Sequence, residues 1–153
     1  MNHETLLLAL GNDILADDAV GWLAAREVRD EVKDWVDVVE CPGAGLLLME
    51  MMAGYKRVLL VDAMQTGHSP VGTVVELSPA DFGKIVAPSP HYAGLPEVFA
   101  LGKRLDVEMP DEVRILAMEV ENAREVREGL SPATSAALPA FTGAVRKILR
   151  KWK

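Results

Sequence analysis

Leu6-Leu-Leu-Ala-Leu-Gly-Asn-Asp-Ile-Leu-Ala-Asp-Asp-Ala-Val-Gly21 is the stretch from which the fold can be read. Leu6 to Leu10 is an apolar run with the length and character of a strand buried on both faces. Gly11-Asn12 stops it. A short loop then carries the adjacent carboxylates Asp17 and Asp18 into an amphipathic helix, predicted from Asp18 to Val32 with Val20, Leu23, Ala24, Val28 and Val32 on its apolar face. A strand, a tight turn and acids at a helix start put polar chemistry at the carboxyl edge of a parallel sheet, where open α/β folds bind their ligands. The acids admit two readings. Asp17 can cap the helix while Asp18 adds favourable charge to its first turn. Alternatively, one acid caps and the other faces the sheet edge as a ligand or an acid–base group.

Outward from this stretch, strands and helices alternate. Strands are predicted at Val36 to Cys41, at Arg57 to Val61 with Asp62 ending it, at Gly72 to Leu77 as an edge strand, and at Glu112 to Met118. Helices are predicted at Leu46 to Ala53, Pro96 to Leu105 and from Ser131-Pro132 to Trp152, the last with Ser131 as cap and Pro132 in its first turn. Ser78 to Phe82 reads as one helical turn. Ala87-Pro-Ser-Pro-His91 cannot be regular structure, because two prolines fix the backbone and remove donors. Glu119 to Gly129 reads as acidic and irregular. Gly21, costly inside a helix, is explained if that helix packs close to the sheet. The alternation predicts one three-layer α/β/α domain over residues 1–153, around a mostly parallel sheet.

Composition narrows the function classes. A net charge of −7 leaves nothing to neutralise phosphates, so nucleic acid and anionic membrane surfaces are not expected partners. The single cysteine, Cys41, excludes an intrachain disulfide and suits a reducing compartment. No signal-peptide pattern and no apolar run near the ~20 residues that span a bilayer is seen. A cytoplasmic protein is the expectation, with a monomer as the default.

Three residues follow strands or sit in the constrained loop: Asp18, Asp62 and His91. Each has an ordinary explanation alone: a helix-start acid, a hydrogen-bonded strand-end acid, an exposed loop histidine. If strands one and three are neighbours, the two acids emerge side by side and need a proton or a cation between them. An imidazole from His91 would complete a mixed oxygen and nitrogen donor set suited to Zn, Ni, Mn or Fe, with coordination positions left open for water or substrate. The rival sites are weaker. His3 and His68 are expected to be exposed. Cys41 has no cationic sequence neighbours to activate its thiol, so a Cys41–His91 nucleophile and base is disfavoured. Met49, Met51 and Met52 read as core filler. Residues 9–14 do not form a dinucleotide fingerprint, and no P-loop is present.

These segments, taken together, resemble the hydrogenase maturation endopeptidases. The resemblance is carried by Gly11-Asn-Asp-Ile-Leu-Ala-Asp-Asp-Ala-Val-Gly21, Gly43-Ala-Gly45, Val58-Leu-Leu-Val-Asp-Ala63, Ser89-Pro-His91 with Gly94-Leu95, and Gly129-Leu-Ser-Pro132, in the family's order over nearly the whole chain. It implies a five-stranded sheet of order 2-1-3-5-4 with strand 4 antiparallel. It also implies that Asp18, Asp62 and His91 are the metal-facing residues. The implied reaction removes the C-terminal extension of a nickel–iron hydrogenase large-subunit precursor after nickel insertion. The nickel would be the precursor's own, with zinc or cadmium able to stand in for it in vitro. Ala9 and Ala19 replace glycines that the family often carries, without removing a ligand. Two other functions fit the same residues: a nickel-sensing checkpoint that binds the loaded precursor without cutting it, and a metal-independent aspartic peptidase built on Asp18 and Asp62.

Overall fold

The computed structural model describes residues 3–78, 81 and 95–153. The predicted turn at 78–82, except Ser78 and Asp81, and the loop that carries His91 lie outside the described residues. The elements, in chain order, are β1 (Thr5–Leu10), α1 (Val20–Val32), β2 (Val36–Cys41), α2 (Leu46–Met52), β3 (Arg57–Met64), β4 (Val74–Leu77), α3 (Leu95–Arg104), β5 (Glu112–Glu119) and α4 (Pro132–Trp152). A 3-10 helix, Ala16–Ala19, leads into α1. The five strands form one sheet of order β2-β1-β3-β5-β4, parallel except for β4, which runs antiparallel to β5 at the edge. Strands 1 and 3 are therefore neighbours. No helix among the described residues is long and apolar enough to cross a membrane.

Alternation along the strands builds two cores. Leu7 and Ala9 face one side with Leu59 and Val61, where α1 supplies Val20, Ala24 and Val28, and α4 supplies Phe141 and Val145. Leu6, Leu8 and Leu10 face the other with Val58, Leu60 and Ile115, covered by Leu48 and Met52 of α2 and by Phe99 of α3. Every residue of β1 is buried, as its unbroken apolar run requires. Each fully buried leucine contributes roughly 1.5–3 kcal/mol relative to exposure. The apolar face of α1 includes Ala25 rather than Leu23, which is only half-buried.

Gly21 lies where α1 crosses the carboxyl ends of β1 and β3. A methyl group there would stand 2.9 Å from the Val61 carbonyl oxygen and 3.0 Å from that of Leu10. Both are backbone atoms and cannot swing aside, so glycine lets the helix begin directly on the sheet. Trp22, the next residue, donates its indole N–H to the Ala9 carbonyl at 3.0 Å. Its ring carries the Arg26 guanidinium at 5.7 Å, and Arg26 grips Glu40 of β2 through two hydrogen bonds of 2.6 and 2.9 Å. That grip holds the Glu40 carboxyl below its ordinary range, against the opposing effect of partial burial.

Three variants check this packing. Gly21→Ala is expected to lose about 1–3 kcal/mol in urea unfolding. Gly143→Ala, in α4 with no atom within 4 Å of the new methyl, is expected to gain about 0.5–1 kcal/mol. Glu40 titrates lower in the folded chain than in the unfolded one, so its contribution is complete above the ordinary glutamate pKa and is lost as pH falls through the depressed folded value. Glu40→Gln should therefore cost up to about 1 kcal/mol at neutral pH, and parent and variant should converge in acid.

Candidate functional site at the carboxyl rim of the sheet

The rim opens where β1 leaves the sheet. The last pair between β1 and β3 is Ala9 with Val61, so Leu10 and Asp62 stand level one step further on. β1 ends there, and Gly11 donates its N–H to the Cys41 carbonyl at 3.2 Å. Gly11 has φ +145°, and a Cβ on it would lie 2.2 Å from the Asp18 carbonyl oxygen. The 3-10 helix thus folds back onto the end of β1 and packs against β3. Asp18, 7% exposed, is held at this rim through its backbone, including an N–H bond to the Leu15 carbonyl of 3.0 Å.

Asp62 is fully buried. It does not end its strand. β3 continues to Met64 because residues 62–64 pair with Ala117, Met118 and Glu119 of β5. Val61 and Ala63 both belong to the core under α1 and α4, so Asp62, between them, turns to the face covered by α2 and α3. Its carboxylate accepts the Ala63 N–H at 2.8 Å. Asp18 and Asp62 thus reach one rim, between β1 and β3. His91 lies outside the described residues, in the segment that precedes α3. Among the described residues no group of three His, Cys, Asp or Glu side chains is arranged to hold a metal ion.

The neighbouring Asp17 corrects the helix-cap reading. It makes no cap to its own helix; α1 has Ala19 at its N-cap and no side-chain cap bond. The Asp17 carboxylate is instead buried against the start of α4 and the chain after β5. Ser131 is the N-cap residue of α4, but its side chain makes no cap bond either, and its hydroxyl receives Arg127 at 3.2 Å. The preceding residue, Ala16, is buried with φ +47°. A non-glycine residue in that region costs of order 1–3 kcal/mol. It is held by its N–H to the Arg127 carbonyl at 2.8 Å, and the Arg127 N–H returns to Ile14 at 2.9 Å.

The segment read as acidic and irregular is accordingly well anchored. Glu119, its first residue, belongs to β5 and is 1% exposed. Its carboxylate accepts the Thr66 hydroxyl, the Thr66 N–H at 2.8 Å and the Gly67 N–H at 3.4 Å, fixing the loop after β3. Gln65 clamps the same region, donating to the Glu121 carbonyl and accepting the Ala123 N–H, both at 3.0 Å. The tertiary roles of Glu119 and Asp17 had no local signature. Met118-Glu119-Val120 between apolar residues was the one available hint that Glu119 is buried.

The rival residues take structural roles. Cys41 is buried and free, with the Gly43 N–H 3.3 Å from its sulfur. His68 is exposed as expected. His3 is not: it is half-buried, with Nε2 3.0 Å from the Lys33 carbonyl oxygen and its backbone N–H directed at the Asp37 carboxylate at 3.4 Å. Asp37 also accepts the Tyr55 hydroxyl at 2.7 Å, and burial, reinforced by that bond, pushes the phenol pKa well above normal.

Comparison with known proteins gives consistent matches. A family model described as hydrogenase maturation protease matches residues 23–149. The Hydrogenase 2 maturation protease of Escherichia coli K12 is 28% identical over 152 residues, which span 95% of this chain and 90% of that protein. Among solved structures, the hydrogenase maturating endopeptidase HybD from E. coli superposes with a TM-score of 0.78 at 26% identity, covering 96% of this chain and 92% of that one. The [NiFe] hydrogenase maturation protease HybD from Thermococcus kodakarensis gives 0.72 at 25% identity, covering 94% and 97%.

The contact between Gly11 and Asp18 can be tested without reference to activity. Gly11→Ala is expected to lose about 1–3 kcal/mol of stability, since the new Cβ meets backbone and the φ disfavours it. Hydrogen exchange at the Asp17 and Asp18 amides should accelerate more than at the amides of α1.

Proposed function

This chain belongs to the hydrogenase maturation protease family and is an endopeptidase, and we propose that it removes the C-terminal extension of a nickel–iron hydrogenase large-subunit precursor after nickel insertion. In this reading Asp18, Asp62 and His91 meet the nickel that the precursor already carries, in the cytoplasm.

The observation that supports it most is the pair of buried or nearly buried acids at one rim of the sheet. Two carboxylates brought to such a place favour a cation between them. Two carboxylates and an imidazole suit nickel and, equally, zinc or cadmium as substitutes. The donor set is thus chemically suitable, and three protein ligands leave room for the substrate's own groups.

The metal, when bound, supplies Lewis acidity that polarises the scissile carbonyl or acidifies a water. The rest falls to the protein. The Ala63 N–H restrains the Asp62 carboxylate, and the contact with Gly11 fixes the turn that bears Asp18. One of the two carboxylates takes the proton of the attacking water. The exclusion of bulk water around Asp62 strengthens every charge interaction there.

The test mixes purified protein with nickel-loaded precursor and follows mass. A loss equal to the C-terminal extension is expected. Asp18→Asn, Asp62→Asn and His91→Ala are each expected to slow it by about 100-fold or more. Normal processing by any one of these variants would remove that residue from the site. A stable complex without mass change would favour the checkpoint role, and cleavage of nickel-free precursor would favour a metal-independent aspartic peptidase.

A further inference from the structure

Asp17 is given no part in the chemistry above, yet its carboxylate is fully buried and collects three donors. Oδ1 accepts the Ser131 N–H at 2.6 Å. Oδ2 accepts the Asn122 N–H at 2.8 Å and the Thr134 hydroxyl at 2.9 Å. The Asp17 N–H in turn donates to the Asn122 carbonyl at 2.8 Å.

A carboxylate suits this position in two ways. It is acceptor-only when ionised, as three converging donors require. It also stands at the positive end of α4, whose N-cap is Ser131 and whose first turn contains Thr134. Asparagine would turn an NH2 group toward one of the two backbone N–H donors whichever way it was rotated.

Asp18 follows directly. Its turn is fixed by Gly11 on one side and by the Ala16 N–H bond to Arg127 on the other, while Asp17 ties the middle to α4. We propose that Asp17 is a positioning residue for the reaction: clasped by the N-terminus of α4 and by Asn122, it holds the 3-10 helix in the one conformation that keeps the Asp18 carboxylate at the rim. The proposal rests on the reading of Asp18 as a metal-facing residue.

The clean perturbation is Thr134→Val, which keeps the shape and removes one donor from Asp17; the Glu121 N–H, 3.4 Å from the Thr134 oxygen, is the other group affected. With nickel-loaded precursor, kcat per folded molecule is expected to fall about tenfold, with KM within about twofold of the parent. Thr134→Ser should restore kcat. Asp17→Asn should cost about 100-fold if it folds, and the Thr134 pair decides the matter if it does not. A purely structural role would lower thermal stability and leave kcat per folded molecule unchanged. Parental kcat in Thr134→Val, or no rescue by serine, overturns the proposal. Asp18→Asn is run beside them. If it is inactive while Thr134→Val is normal, only the positioning role fails; if it processes normally, the reading of Asp18 itself fails.

Discussion

The constraint on which the arrangement depends is contact between backbones. At Gly11 and Gly21 the chain that leaves β1 folds back over the ends of β1 and β3 so tightly that a methyl group would strike carbonyl oxygens at 2.2, 2.9 and 3.0 Å. No side chain mediates these approaches, so none can relax to absorb a larger residue. They set how far the 3-10 helix can stand from the sheet, and thereby hold a nearly buried Asp18 at the end of the sheet that also carries Asp62. The two cores come from alternation along the strands, and the glycine contacts seat the turn that bears Asp18 on the end of that sheet.

The sheet was largely legible in the sequence, and its ends were not. Val36–Cys41 has the predicted bounds, and β1, α2, α3 and α4 fall within a residue of theirs, because apolar periodicity reports directly on which face is buried. The order of the strands and the antiparallel β4 followed from the family resemblance rather than from any pattern, and the topology agrees. The errors lie where a charged or flexible residue was taken as a terminator. Asp62 and Glu119 continue their strands because the ladder satisfies their backbones and N–H or hydroxyl donors satisfy their carboxylates. β4 begins at Val74, later than Gly72, which has φ +96° and still donates its N–H to the Glu119 carbonyl of β5 at 2.8 Å.

Capping was misread for a different reason. Asp17 and Ser131 both occupy sequence positions that suggest local caps, and neither caps its own helix. The acid serves a helix that begins 115 positions later, a relation that propensity cannot contain because it is set wholly by tertiary packing. His3 shows the same limit, since its partners lie at Lys33 and Asp37. Of the candidate site, Asp18 and Asp62 could be placed at one rim from the sequence because chain topology gathers the carboxyl ends of parallel strands at one edge, although Asp62 lies within β3 rather than after it. His91 rests on its motif.

The span of the Asp17 clasp has a bearing on biosynthesis. Its donors come from Asn122, Ser131 and Thr134, more than a hundred residues after the turn they secure. A nascent chain that has emerged only as far as β5 has Asp18 and Asp62 but lacks the Ser131 and Thr134 donors that secure the turn. On the proposed role of Asp17, the clasp closes only once Thr134 has emerged, and a chain cut short before it carries both acids without the contact that positions one of them.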